Sequence, residues 1–250
     1  MRHIVHGHAE PRLVRTPAYD KISALLEKIV PIHDVGAVVG RTGVGKTYLT
    51  EMIARDTGKR VVYVDLPRAP ARKELLVRLY RAITGEILTS ENYMLTFALE
   101  EKLDDSDVIV IIDEVQGLDD IGLDQLTNLH GQENAAWTLL LVGSEKAATK
   151  LRQYEHLDSR VERIVKVNRL QGEALVQMLR GFHPIFEHTP HALLLQLDAE
   201  MANGDLREWA RFLRTLADLR ERLPTPFELM DRKVAAAALH AHLHGAAVGQ

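Results

Sequence analysis

The apolar positions of this chain follow two rhythms, and the change falls near residue 170. Before it, short apolar runs alternate with stretches of helical spacing. Gly36-Ala37-Val38-Val39 carries a buried strand over 37–39, and Arg60-Val61-Val62-Tyr63-Val64-Asp65 a second. Val108-Ile109-Val110-Ile111-Ile112 is apolar on both faces, the signature of a strand at the centre of a parallel sheet. Thr138-Leu139-Leu140-Leu141-Val142 is the next strand, and Ile164-Val165-Lys166-Val167 a short last one. Between them the 3.6-residue period predicts helices. Residues 19–30 place Ile22, Leu25, Leu26 and Ile29 on one face, and Pro31 closes the helix. Further helices are predicted over 47–56, ending near Gly58; over 73–83, carrying Leu75, Leu76, Leu79 and Ile83 and ending near Gly85; over 90–103, started by Ser90; and over 122–133. Strands alternating with helices indicate an α/β fold with a doubly wound parallel sheet.

From about Gln171 the pattern is fully helical, with candidates over 172–182, 190–203, 205–222 and 226–244. The expected organisation is an irregular N-terminal arm over 1–16, an α/β domain over 17–169, a small C-terminal helical lid over 170–244 and a tail over 245–250.

Gly40-Arg41-Thr42-Gly43-Val44-Gly45-Lys46-Thr47 matches G-x-x-x-x-G-K-[ST], with the strand before it and the helix after it that a phosphate-binding loop requires. Glycines let successive N–H groups turn inward as a nest for anionic oxygens, and the following helix adds its positive end. Gly40, Thr42, Gly43, Val44, Gly45, Lys46, Thr47 and Tyr48 are the expected nucleotide contacts. Lys46 supplies charge to the β- and γ-phosphates, and the Thr47 hydroxyl is a Mg²⁺ ligand. ATP and Mg²⁺ are the implied cofactors.

Asp113-Glu114 directly follows the central apolar strand. A carboxylate at the C-terminal end of such a strand faces the sheet crevice where α/β proteins bind ligands. Asp113 is expected to hold Mg²⁺ through its water shell, and Glu114 to orient and deprotonate the attacking water. Ser144 ends the next strand. It holds the lytic water or reads the γ-phosphate in one reading, and caps the following helix in the other. Arg160 precedes the last strand, where an arginine stabilises transferring phosphoryl charge, often from a neighbouring subunit. Arg163 is a weaker candidate for the same role. Arg207, in Gly204-Asp205-Leu206-Arg207, begins a lid helix that Asp205 caps, and it couples nucleotide state to domain closure.

This order of motifs resembles the AAA+ ATPases, over roughly residues 17–244. Within them the chain is most similar to the transposition regulators of the Mu phage B protein, TnsC and TniB type. The resemblance rests on Ile111-Ile112-Asp113-Glu114-Val115-Gln116-Gly117-Leu118, Leu139-Leu140-Leu141-Val142-Gly143-Ser144, Asp158-Ser159-Arg160-Val161 and the lead-in Arg15-Thr16-Pro17-Ala18-Tyr19. It implies an ATP hydrolase that assembles with itself as a ring or filament on double-stranded DNA. It also implies partnership with a transposase and a target-selector protein. The chain departs from the group in having Ser144 where asparagine is frequent, and no room for an N-terminal helix-turn-helix domain. Secretion ATPases of the ExeA type and replication initiators share the core; the first usually carry a membrane span or peptidoglycan-binding tail, the second a further DNA-binding domain. A nucleotide-gated interaction module is a further alternative, against which Glu114 argues.

Composition narrows these readings. The chain has 250 residues, 46% hydrophobic and 26% charged, the balance of a globular protein with a real core. A net charge of −4 excludes a globally basic DNA-binding protein but leaves local basic strips open. Pro67-Arg68-Ala69-Pro70-Ala71-Arg72-Lys73, continuing to Arg78 and Arg81, is the first strip, with Arg68, Arg72 and Lys73 expected on phosphates. Lys146, Lys150 and Arg152 are the second. Aromatics at 5% argue against base stacking on single strands. The histidines at 3, 6 and 8 read as a flexible arm, and those at 240, 242 and 244 as a helix end favoured by partial positive charge. With no cysteine, no membrane-length apolar run and no signal-peptide core, the expected location is the cytoplasm.

Overall fold

Val108–Asp113 forms strand β3, buried at all six positions, and the rest of the sheet is laid out around it. The computed structural model describes residues 14–104, 106–153, 163–222 and 229–244. In one compact unit, Pro17–Arg41 with Lys46–Val167, β1 (Val35–Gly40), β2 (Arg60–Asp65), β3, β4 (Thr138–Gly143) and β5 (Ile164–Val167) form a parallel five-stranded sheet ordered β2-β3-β4-β1-β5. The strands apolar on both faces, β1, β3 and β4, take the three inner places and are buried throughout. The edge strand β2 instead alternates, burying Val62 and Val64 and leaving Tyr63 on the opposite face.

The helices of this unit are α1 (Pro17–Ile29), α2 (Lys46–Asp56), α3 (Arg72–Thr84), α4 (Asn92–Leu103), α5 (Asp120–His130) and α6 (Glu145–Gln153). α1 buries Ile22, Leu25, Leu26 and Ile29, the face its spacing predicts. α3 stops at Gly85, whose φ of 82° forms a left-handed cap with its N–H on the Arg81 carbonyl. Leu95, Leu99 and Leu103 of α4 lie on one face and are buried; each contributes about 1.5–3 kcal/mol. Among the boundaries that shift from expectation are the starts of α4 and α5. α4 begins at Asn92, with Glu91 in the cap position and no side-chain cap bond, so Ser90 stands ahead of the helix. α5 begins at Asp120 rather than at Gly122, because the Asp119 carboxylate accepts from the Gly122 N–H at 2.8 Å and caps the first turn.

A second compact unit contains Val14–Thr16, Thr42–Gly45 and the described residues from Asn168 onward. Its helices are α7 (Gly172–Phe182), α8 (Pro184–Glu187), α9 (His191–Leu197), α10 (Leu206–Arg222) and α11 (Arg232–His244). Trp209 is its fully buried centre, packed edge-on against Phe186 at 5.3 Å and Phe212 at 5.9 Å between ring centroids. Val14, within the segment expected to form an N-terminal arm, packs against this core beside Gly181. The single helix expected over 190–203 is α9 followed by a π turn, Asp198–Ala202. That wider turn carries the Asp198 carboxylate, which accepts from Trp209 Nε1 at 2.9 Å and from the Gly204 N–H at 2.9 Å. Two buried donors are thereby satisfied, which offsets the poorer helix geometry.

Candidate functional site

The parallel register fixes where the functional side chains emerge. Val39 pairs with Gly143, and Asp65 with Asp113, so β1 to β4 end along the same edge of the sheet. α2 starts at Lys46, immediately after the glycine loop that leaves β1. Thr47, in its first turn, donates from Oγ1 to Asp113 Oδ2 at 2.6 Å, joining residues 66 apart in sequence. The Lys46 ammonium donates to the Arg41 carbonyl at 2.9 Å, across the loop it closes.

The loop's glycines answer to specific constraints. Gly43 and Gly45 both have φ of 84°, a left-handed conformation that side chains resist. A Cβ on Gly40 would lie 2.2 Å from the Val167 carbonyl oxygen of β5. Within the second unit, the Gly43 carbonyl accepts from the Leu206 N–H at 2.9 Å, and a Cβ on Gly43 would strike the Asp205 carboxylate.

Asp113 is buried, 5% exposed, and has three donors: Thr47 Oγ1, Tyr63 Oη at 2.8 Å, and the Glu114 N–H on Oδ1 at 2.7 Å. These partners compensate the burial of its charge. Burial, then the negative charge of Asp113 and its hydrogen bond, push the Tyr63 phenol above its ordinary range, so Tyr63 stays a donor. A buried carboxylate beside a hydroxyl is an oxygen donor set of the kind a hard divalent cation takes, so Thr47 and Asp113 fit Mg²⁺.

Glu114 is exposed and has φ of 58°, rare outside glycine. It opens a tight turn over Val115–Gly117 in which the Gly117 N–H donates to the Glu114 carbonyl at 2.8 Å. Gln116 then reaches both ways: its Nε2 donates to Glu114 Oε2, and its Oε1 accepts from the Ser144 N–H at 2.8 Å. Ser144 thus enters this network through its backbone. Its carbonyl also accepts from the Ala147 N–H in the first turn of α6.

The candidate cations are differently employed. Arg160 lies outside the described residues. Arg163 forms an ion pair with Asp34 at the foot of β1. Arg207 is exposed on α10, whose first turn is capped by Asp205 Oδ1, accepting from the Arg207 N–H at 2.9 Å. Arg68 and Lys73 are exposed. Arg72 is committed to Gln125, with Nε donating to its Oε1 at 2.8 Å, and Gln125 passes the link on to Thr96 at 3.2 Å. Lys150 donates to the Leu118 carbonyl and lies 3.4 Å from Asp120, whereas Lys146 is exposed. Arg72, though exposed, and the half-buried Lys150 thus have partners within the molecule. His240 and His244 approach to 4.9 Å between rings, but no group of three metal-ligating side chains occurs among the described residues.

Two members of the network, Tyr63 and Gln116, were not among the expected site residues. For Tyr63 the signal is its odd position in β2, opposite Val62 and Val64. For Gln116 no local signal exists, because its role depends on the left-handed turn at Glu114 and on where β4 ends.

Known proteins share this fold. Residues 33–151 match the family model described as AAA domain. No curated protein matches the chain. Among solved structures it is similar to Cdc6p from Pyrobaculum aerophilum, with a TM-score of 0.66 and 16% identity over 84% of this chain and 64% of that one. Drosophila ORC bound to DNA gives 0.65 and 14% identity, covering 94% of this chain and 63% of that one. The RuvB Holliday junction branch migration motor of Thermotoga maritima gives 0.61 and 15% identity, over 90% and 68%. The chain thus spans less than two thirds of the length of the first two. At these identities the likeness is one of fold, a P-loop AAA+ α/β architecture. Among the described residues no helix is long and apolar enough to cross a membrane.

Proposed function

We propose that the protein binds ATP with Mg²⁺, hydrolyses it, and assembles on double-stranded DNA as a ring or filament that directs target selection by a transposase in the cytoplasm. The observation that carries the enzymatic part is the Thr47–Asp113 hydrogen bond at 2.6 Å, with Glu114 one residue beyond it. The Gly40–Thr47 loop cradles the phosphates, and Lys46 places its charge on the β- and γ-phosphates. Thr47 and Asp113 hold Mg²⁺, which neutralises charge on the phosphates when bound. Glu114 orients a water and takes its proton. Arg160 and Arg207 stabilise the charge that develops on the transferred group, Arg160 from a neighbouring copy.

The DNA part is supported by the exposed Arg68 and Lys73 and by the fold shared with the DNA-bound ORC structure. The transposition part rests on the sequence resemblance at residues 111–118, 139–144 and 158–161. A replication-initiator role is the second reading, favoured by the likeness to Cdc6p and ORC. Electron microscopy with a slowly hydrolysed ATP analogue, with and without double-stranded DNA, tests the proposal. Rings or filaments that require both support it, and assemblies indifferent to DNA remove the DNA arm. A transposase whose strand-transfer targets shift when the assembled protein is present separates the transposition reading from the initiator reading.

A further inference from the structure

Several independent constraints converge on the carboxamide of Gln116. The turn that carries it begins with Glu114 at φ 58°, a strained conformation for a non-glycine residue. It passes through Gly117, where a Cβ would lie 2.9 Å from the Pro67 carbonyl oxygen. It ends at Leu118, whose carbonyl accepts from Lys150 of α6. Gly143 at the end of β4 leaves the space the carboxamide occupies: a Cβ there would meet Gln116 Oε1 at 2.8 Å and Val115 Cγ1 at 2.8 Å. In that space Gln116 spends both ends of its amide, donating to Glu114 Oε2 and accepting from the Ser144 N–H.

We propose that Gln116 is a positioning residue for hydrolysis, holding the Glu114 carboxylate in a fixed orientation and registering it against the end of β4 at Ser144. An exposed glutamate on its own samples many rotamers, and ordering it costs free energy at each turnover. Gln116 removes that freedom in advance. It engages one carboxylate oxygen and leaves the other for the water. The inference rests on Glu114 being the base, as proposed above.

The test is steady-state and single-turnover ATP hydrolysis by the full chain, with Kd for a fluorescent ATP analogue and thermal unfolding measured alongside. Gln116→Ala is expected to lower kcat about ten- to a hundredfold, the scale set by misplacing a catalytic group by about an ångström, with nucleotide Kd unchanged. Gln116→Glu retains an acceptor for the Ser144 N–H but has nothing to donate to Glu114. It is expected to lose as much as the alanine variant, whereas a residue that only braces the β4 end would be rescued by it. In a Glu114→Gln background, adding Gln116→Ala is expected to cost little more, since both act through one group. Full activity in Gln116→Glu, or losses that multiply in the double variant, would overturn the proposal. If Glu114→Gln alone leaves hydrolysis intact, it is the base assignment that fails instead.

Discussion

Thr47 and Asp113 stand 66 residues apart in sequence and 2.6 Å apart in space, hydroxyl to carboxylate. The contact ties the first turn of α2 to the end of β3. Asp113→Asn is expected to weaken Mg²⁺-dependent nucleotide binding and lower hydrolysis by about two orders of magnitude or more. Calorimetric titration with ATP, with and without Mg²⁺, checks this: the wild type should show a metal-dependent gain in affinity that the variant lacks.

Glu114→Gln is expected to leave ATP binding intact and cut turnover about 10²- to 10⁴-fold. Nucleotide binding and phosphate release measured on the same preparation decide it. An unchanged release rate would return the protein to the class of nucleotide-gated modules.

The basic strip separates into two kinds of residue. Arg68→Ala with Lys73→Ala should weaken binding to double-stranded DNA of any sequence. It should also reduce the slope of log affinity against log salt by about 2, one for each phosphate no longer neutralised. Fluorescence anisotropy across a salt series reads both. An unchanged slope would remove the strip from the DNA interface.

Arg72→Ala should behave differently. Gln125 is 4% exposed and takes its hydrogen bond from Arg72 Nε at 2.8 Å. Removing that partner leaves a buried acceptor unpaired, at a cost of about 1–3 kcal/mol. Urea unfolding should show the destabilisation, while the salt slope of DNA binding stays as in the wild type.

In the helical unit, Asp198→Ala would strip Trp209 Nε1 and the Gly204 N–H of their shared acceptor at once. The expected destabilisation is about 2–5 kcal/mol, from two unpaired buried donors. Differential scanning calorimetry and Trp209 fluorescence report on that unit, and Asp198→Asn, which keeps an acceptor oxygen, should recover part of the stability.

What the sequence determined by itself was set by short-range physics. The apolar run over 108–112 read as a central strand, since both its faces had to be covered, and 138–142 as the next strand. The spacing of Ile22, Leu25, Leu26 and Ile29 could only be one helix face. The glycine loop and the Asp-Glu pair were legible because phosphate and metal chemistry demand those residue types at those separations. Tertiary structure decided which polar side chains are spent inside the molecule. Arg72 finds Gln125 because α5 brings it there, and Lys150 finds the Leu118 carbonyl because α6 lays it over that turn. The roles of Tyr63, marked only by its place opposite Val62 and Val64, and of Gln116 were decided in the same way. Their partners are set by strand register and by one left-handed residue at Glu114, and neither leaves a periodic trace along the chain.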